Sequence, residues 1–301
     1  MTLNKVVVCG VGLIGGSFAL AVKAAGAARQ IVGVGRTAAS LDEALACGAI
    51  DHAAIDWAEA LADADLVFLA VPVGQMRSVF SAMAPHLSAK TVITDGGSTK
   101  ADVVAAARLA LGGKVAQFVP GHPIAGAEKS GVSAAKADLF QQKRVVLTPL
   151  AENAPAKIAL VEQVWQACGA KVSTLTAEAH DRVFAAVSHL PHFLAFALVH
   201  EFAQRPDADQ LFGFAAGGFR DFTRIASSHP DMWRDICLAN RTALLTELDG
   251  YMSELMRAKV LLASADAVGL HDFFATARTR RDAWLDSLIP SSAPAVDSPG
   301  E

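Results

Sequence analysis

Nowhere in this 301-residue chain does an unbroken apolar run reach the ~18 residues needed to cross a bilayer, so no membrane partner is expected. Positive charge is not in excess either. Lys and Arg number 26 against 30 Asp and Glu, a formal net charge of -4, which speaks against a polybasic surface built to neutralise nucleic-acid phosphates. Charged residues make up only 19% and hydrophobic ones 52%, the reverse of the composition that keeps a chain disordered. Cysteine is sparse: Cys9, Cys47, Cys168 and Cys237 lie far apart with no CxxC pair, and read as reduced thiols of a cytoplasmic protein. The N-terminus lacks a signal-peptide layout. No HExxH, HxxxH or clustered Cys/His spacing suggests a metal, and the absence of GxSxG leaves no case for a serine hydrolase. What remains is a soluble enzyme acting on a small molecule.

What is present falls into two halves. Short continuous apolar runs recur at Lys5–Cys9, Gln30–Val34, Leu66–Ala70, Thr91–Thr94, Val115–Val119 and Arg144–Thr148, separated by Ala-rich amphipathic segments such as Ser17–Ala25, Ser40–Cys47 and Lys100–Leu111. Continuous rather than alternating runs suit strands covered on both faces, and strand–helix alternation implies right-handed βαβ units. The expected fold is α/β, a doubly wound parallel sheet over residues 1–174, followed by an all-α domain over 175–289. Thr176 is placed to cap a helix, Pro191 predicts a kink or break near Ser188–Pro191, and further helices are expected around Pro230–Lys259 and Asp272–Leu288. The Pro/Ser-rich stretch 290–301 is expected to be disordered.

The strongest local signal is Gly10-Val11-Gly12-Leu13-Ile14-Gly15, set between the first strand and an Ala-rich helix. Glycine allows the tight turn at 10, the close approach of backbone to a pyrophosphate at 12, and helix–strand packing at 15, while the helix N-terminus offers free N–H groups. Val71 and Pro72, after the Leu66–Ala70 run, complete the expected cofactor contacts. A carboxylate at the end of the second strand would bind the ribose of NAD; this chain has Gly35-Arg36-Thr37 there. Arg36 suits a 2′-phosphate and Thr37 offers a hydroxyl, which favours NADP. An Arg36 lying across the adenine is compatible with NAD as well.

Ligands of open α/β sheets bind beyond the carboxyl ends of the strands. Two further segments start at that edge, Asp95-Gly-Gly-Ser98-Thr99-Lys100 and Pro120-Gly-His122-Pro-Ile-Ala-Gly126. A neutral imidazole beside a nicotinamide suggests a general base for alcohol oxidation, which singles out His122, with Ser98 to orient either the imidazole or the hydroxyl. In the helical half, Ser188, His189 and His192 interrupt an apolar helix, and Arg220 and Arg224 stand beside glycines, followed by Asp231-Met232-Trp233. Arginine favours bidentate carboxylate binding. The plainer alternatives are a satisfied core histidine and a surface salt bridge.

Taken in order, VCGVGLIGGSFALAVK, TDGGSTK, GHPIAGAEKSGV, SHLPHFLAFAL and GGFRDFTRIASSHPDMWRDI resemble the prephenate/arogenate (cyclohexadienyl) dehydrogenases of tyrosine biosynthesis, over roughly Val6 to Arg241. The resemblance implies a Rossmann-type domain followed by a helical domain that forms a homodimer. It implies oxidative decarboxylation of prephenate or arogenate with hydride transfer to NAD or NADP. It makes His122 the proton acceptor and Ser98 its assistant, with His192, Ser188 and His189 at the substrate and Arg224 on a substrate carboxylate. Arg220, Asp221 and Trp233 fall on the same wall, and Glu128 at the entrance. Gly35-Arg36 departs from the acidic residue that relatives often carry. Neither an N-terminal mutase fusion nor a C-terminal ACT domain is expected from the residues that flank the motifs. A β-hydroxyacid dehydrogenase and a non-catalytic NADP-binding sensor are the alternatives. The first would normally rely on a lysine in the helical half, and the second has no use for His122.

Overall fold

The structure, a computed structural model, describes residues 2–126 and 129–288. Five parallel strands form the first sheet: β1 (Leu3–Cys9), β2 (Ala28–Val34), β3 (His52–Ala53), β4 (Leu66–Leu69) and β5 (Val92–Asp95), in the order β3-β2-β1-β4-β5. The helices α1 (Leu13–Ala24), α2 (Ala38–Ala46), α3 (Trp57–Leu61), α4 (Met76–Met83) and α5 (Ala101–Leu111) supply the crossovers or follow the last strand. The continuous apolar runs are explained by burial on both faces. Val6 and Val8 of β1, with Leu66 and Phe68 of β4, pack on one side. Val7 and Cys9, with Val67 and Leu69, pack on the other. The first side holds an aromatic cluster in which the Phe18 and Phe68 rings lie 4.2 Å apart and Trp165 packs 5.4 Å from Phe68.

A second, three-stranded sheet follows, β6 (Gly121–Pro123), β7 (Arg144–Leu147) and β8 (Lys171–Thr174), with β6 antiparallel to β7 and β7 parallel to β8. Helix α6 (Pro155–Ala167) connects β7 to β8. This differs from the expected single run of strands. Residues Gly112–Gln117 form a 3-10 helix, and only Phe118 makes a bridge, to Ile93. Val115 and Phe118 are apolar because they are buried, and burial does not require a strand.

From Thr176 the described chain is helical. The Thr176 hydroxyl accepts the Ala179 N–H and caps α7 (Ala177–Phe184), as expected. Pro191 does not break the helix. The expected distortion takes another form: a π-turn over Ala185–His189, just ahead of the proline, leads directly into α8 (Leu190–Ala203), and this wider turn accommodates the residue that lacks an N–H. Helices α9 (Ala208–Gly213), α10 (Gly217–Thr223), α11 (Pro230–Ala239), α12 (Arg241–Ala263) and α13 (Ala267–Leu288) follow. The stretch Ala177–Ala203 is long and apolar enough by length and composition to cross a membrane, yet it carries the buried polar side chains His180, Asp181 and His189.

Compactness divides the chain at Leu245/Thr246, inside α12, rather than at the change of composition near residue 174. The reason is packing: Trp233 and Ile236 of α11 join the core that contains Phe80 and Phe118. The unit from Thr246 onward consists of the rest of α12 and α13, and exposes Met252, Leu255, Met256, Val260, Phe274 and Trp284. The segment 290–301 and Glu128 lie outside the described residues.

Candidate active site

The glycine loop has the shape its spacing predicts. Gly10 has φ +89, and a Cβ there would sit 2.6 Å from the Ala70 carbonyl oxygen. A Cβ on Gly15 would collide with the Gly10 carbonyl, whereas one on Gly12 would meet nothing, so the loop is open at Gly12. Gly12 precedes α1 without a side-chain cap, which leaves the first N–H groups of the helix for a ligand. Beside it lies a cleft of about 590 Å³ whose walls include Gly10, Gly12, Arg36, Thr37, Val71 and Pro72. Leu13 and Ile14 form the first turn of α1. An elongated dianionic nucleotide fits this cradle. Thr37 is committed locally, since its hydroxyl accepts the Ser40 N–H at 3.3 Å and so caps α2. Arg36 is exposed at the cleft, and Glu43 is the one acid among its described lining residues.

At the end of β5 the structure places a buried ion pair that the motif reading passed over. Asp95 and Lys100 are both fully buried and bonded to one another. Asp95 also accepts the Gly121 N–H at 3.0 Å and the Gly97 N–H at 2.8 Å, and Lys100 donates to the Gly121 carbonyl at 2.7 Å. The pair therefore grips both backbone groups of the residue before His122. By this means β6 is held beside the end of the first sheet.

His122 is half-buried on β6, with its Nδ1 2.8 Å from Nε2 of His180; Nδ1 of His180 lies 2.8 Å from an Asp181 oxygen. Asp181 also accepts the backbone N–H groups of Lys100 and Ala101, each at 2.8 Å. Burial, then the neighbouring His180, Lys100 and His189, push His122 well below the ordinary imidazole value. Burial raises Asp181, but hydrogen bonds from His180 and the two backbone N–H groups outweigh it, and its acidity ends below the usual carboxylate range. Ser98 is half-buried, and its backbone is a hydrogen-bond partner of His189. Nδ1 of His122 is engaged by His180, which leaves Nε2 as the ring nitrogen open to a substrate or to Ser98.

The helical residues converge as well. His189 is buried, and Asn240 Nδ2 donates to it at 3.1 Å and to the Asp181 carbonyl at 2.7 Å. His192 donates from Nδ1 to the Ser188 carbonyl at 2.8 Å and stacks on Trp233, with ring centroids 3.8 Å apart. Burial lowers the His192 pKa, and the nearby Arg224 charge adds to this. Arg224, Arg220, Phe212, Phe219 and Thr223 line a second cavity of about 400 Å³. Arg220 pairs with Asp221 at 3.2 Å, both largely exposed. Among the described residues no cluster of His, Cys, Asp or Glu suits a metal ion.

A glycine cradle at the carboxyl edge of a parallel sheet, with a neutral histidine beside that edge, defines a Rossmann-type dinucleotide-binding oxidoreductase. The chain matches the prephenate dehydrogenase nucleotide-binding domain over residues 18–174 and the prephenate dehydrogenase dimerization domain over residues 176–276, and it belongs to the prephenate dehydrogenase family. A cyclohexadienyl dehydrogenase of Zymomonas mobilis is 36% identical over 93% of this chain and 96% of its own length. The prephenate dehydrogenase of Bacillus subtilis is 37% identical over 93% of this chain and 76% of its own. Among solved structures, the prephenate dehydrogenase of A. aeolicus in complex with hydroxyphenyl propionate and NAD+ superposes with a TM-score of 0.88, at 36% identity over 93% of this chain and 98% of its own.

Proposed function

We propose that this protein oxidatively decarboxylates prephenate, arogenate or both in tyrosine biosynthesis, using a nicotinamide cofactor. The observation that carries this reading is His122: a histidine kept neutral by burial, next to Gly121, whose backbone Asp95 and Lys100 hold at the end of β5. A neutral imidazole is the form able to accept a hydroxyl proton near pH 7. The bound nicotinamide supplies the hydride acceptor. Gly10, Gly12, Leu13, Ile14 and Gly15 would hold its pyrophosphate, and Val71 and Pro72 line the same cleft beside Gly10.

Prephenate carries one carboxylate on a cyclohexadienol ring and another on a pyruvyl arm. As the carbinol carbon is oxidised, His122 takes the hydroxyl proton. The ring carboxylate then leaves as carbon dioxide, its bonding pair entering the ring, and aromatisation drives the step forward. Arg224 binds a substrate carboxylate, and His192, held by Ser188 and Trp233, lines the same pocket with His189 behind it. Arg220 and Asp221 are assigned to the same wall as Arg224. Ser98 contributes through the loop that it shares with Lys100. Because the chain is net acidic, attraction of a dianion depends on these local cations.

The absence of an acid directly after β2, with Arg36 in its place, supports NADP as the preferred cofactor. Glu43 on the cleft wall supports use of NAD too. We assign nucleotide binding to residues 1–174, and substrate binding and dimerisation to 175–289. The match to the dimerization domain supports a homodimer, and the four free cysteines fit a reducing compartment such as the cytoplasm. The deciding experiment is formation of reduced cofactor by the purified protein, with prephenate or arogenate crossed against NAD+ or NADP+. Turnover in any combination is the expected result. Silence in all four, from folded protein that binds cofactor, would overturn the reading. His122→Asn is expected to fold and to lose most turnover.

A further inference from the structure

Two residues outside the sequence motifs, His180 and Asp181, stand behind His122 in a continuous chain of hydrogen bonds. We propose that they are positioning residues that fix the proton of His122 on Nδ1, so that Nε2 is presented as the base. The proposal rests on the assignment of His122 as proton acceptor and adds which nitrogen acts and what selects it.

Asp181 anchors the chain of hydrogen bonds. Its two oxygens face the backbone N–H groups of Lys100 and Ala101, at 2.8 Å each. An amide N–H only donates, so both oxygens accept, and these bonds help to hold Asp181 below the usual carboxylate range and ionised. His180 Nδ1, 2.8 Å from Oδ1 of that carboxylate, must then carry the hydrogen. A neutral His180 has its lone pair on Nε2 and can only accept there. His122 Nδ1 lies 2.8 Å from that lone pair and is accordingly the donor. One proton is thus placed on each ring, and the lone pair of His122 is left on Nε2.

The competing arrangement makes His180 an imidazolium. It would donate from Nε2 to His122 Nδ1 and force the hydrogen of His122 onto Nε2, which abolishes the base. The surroundings oppose that charge. His180 is fully buried, the Phe184 ring packs 4.5 Å from it, and the groups facing the pair include the cationic Lys100 and the neutral His189. Asp95 and Asp181 are the facing anions; Asp95 is already bonded to Lys100 and Asp181 to two amides. Phe184 also packs 5.0 Å from His122, which limits rotation of that ring. In catalysis one proton moves, from the substrate hydroxyl to Nε2 of His122. The Nδ1–H bond to His180 strengthens as His122 becomes cationic, and no proton needs to pass to Asp181.

The test is nitrogen-15 NMR of the histidine rings in the whole protein at neutral pH, with the His122 signals assigned by their loss in His122→Asn. A pyrrole-like Nδ1 and a pyridine-like Nε2 on His122 are expected; the opposite pattern overturns the proposal, and this readout does not depend on any variant of the relay folding. In parallel, His180→Gln is expected to lower kcat about 100-fold or more. Substrate KM and cofactor affinity should stay at wild-type values, because His180 is fully buried and lines neither of the two cavities described above. Unchanged kcat in folded His180→Gln overturns the proposal as well. Undiminished turnover in His122→Asn is a separate result: it removes the assignment of the base, whatever tautomer the NMR finds.

Discussion

The imidazole of His192 lies face to face with the indole of Trp233, ring centroids 3.8 Å apart and planes 21° apart. His192 is further tied by its Nδ1 to the Ser188 carbonyl, so ring orientation and tautomer are both set before any ligand arrives. Replacing Trp233 by Phe keeps an apolar ring on the core side but reduces the stacked surface. Substrate KM should rise several-fold with kcat nearly unchanged, and steady-state kinetics would check it. A loss confined to kcat would place Trp233 with the proton-transfer residues instead.

Arg224 lines the cavity beside His192 and is assigned to a carboxylate. Arg224→Ala should raise substrate KM by about 10- to 100-fold, as expected when a charge-assisted hydrogen bond is removed. Arg224→Lys should recover part of that loss, since charge returns without the planar fork. Unchanged KM in both variants would reassign the carboxylate site.

For pH dependence the direction follows from burial. His122 is held below the ordinary imidazole value, so the acid limb of kcat/KM should lie below about 6.5. Stability has its own acid limb. Burial pushes His189 down to about 4, so the folded protein keeps it neutral while the unfolded chain takes up a proton near 6.5. Below 6.5 the unfolded state therefore binds more protons, and stability falls between about 6.5 and 4, by about 3 kcal/mol from this residue. Urea unfolding midpoints across that range would measure it; a midpoint rising toward acid would contradict the sign.

The Asp95–Lys100 pair has no exposure to water, so removing one partner strands the other. Lys100→Met should cost about 3–5 kcal/mol, read from chemical denaturation, because a buried carboxylate loses its counter-charge. It should also release the Gly121 carbonyl and so lower kcat more than it raises cofactor Kd. A variant as stable as the wild type would show that the β6 anchor lies elsewhere.

Arg36 offers a clean discrimination of cofactor. Arg36→Ala should raise KM for NADP about 10-fold, the scale of a lost charged contact, and leave NAD nearly unaffected. Initial rates with each cofactor would decide; equal effects on both would make Arg36 a neighbour of the adenine.

Much of this was legible in the order of residues because it is local. The glycine loop, the continuous apolar runs and the Thr176 cap each depend on neighbours within a few positions. The split into two sheets was not legible, because the burial of Val115 and Phe118 produces an apolar run whether the backbone is a strand or a 3-10 helix. The short β3 and β8 were hidden for a related reason: two residues of β3 carry no periodicity, and β8 is only half-buried. The partners of His122 were hidden by distance along the chain. His180 is 58 positions away, and its only trace was a His-Asp pair on the buried face of an otherwise amphipathic helix. Thr37 carries a second, local role that its position beside the cleft did not announce, since its hydroxyl caps α2.

The π-turn at Ala185–His189 sets the angular relation between the two ends of its helix. Each residue of an undisturbed α-helix advances about 100°, so His180 and His189, nine positions apart, would lie about 180° from one another. In the structure both are buried beside Asp181: His180 Nδ1 lies 2.8 Å from its carboxylate, and the same charge acts on His189. The wider turn absorbs one residue and brings the two to within about 80°. The segment is a phase shifter, an odd residue without which the proton-handling and substrate-facing histidines would belong to opposite sides of the same rod.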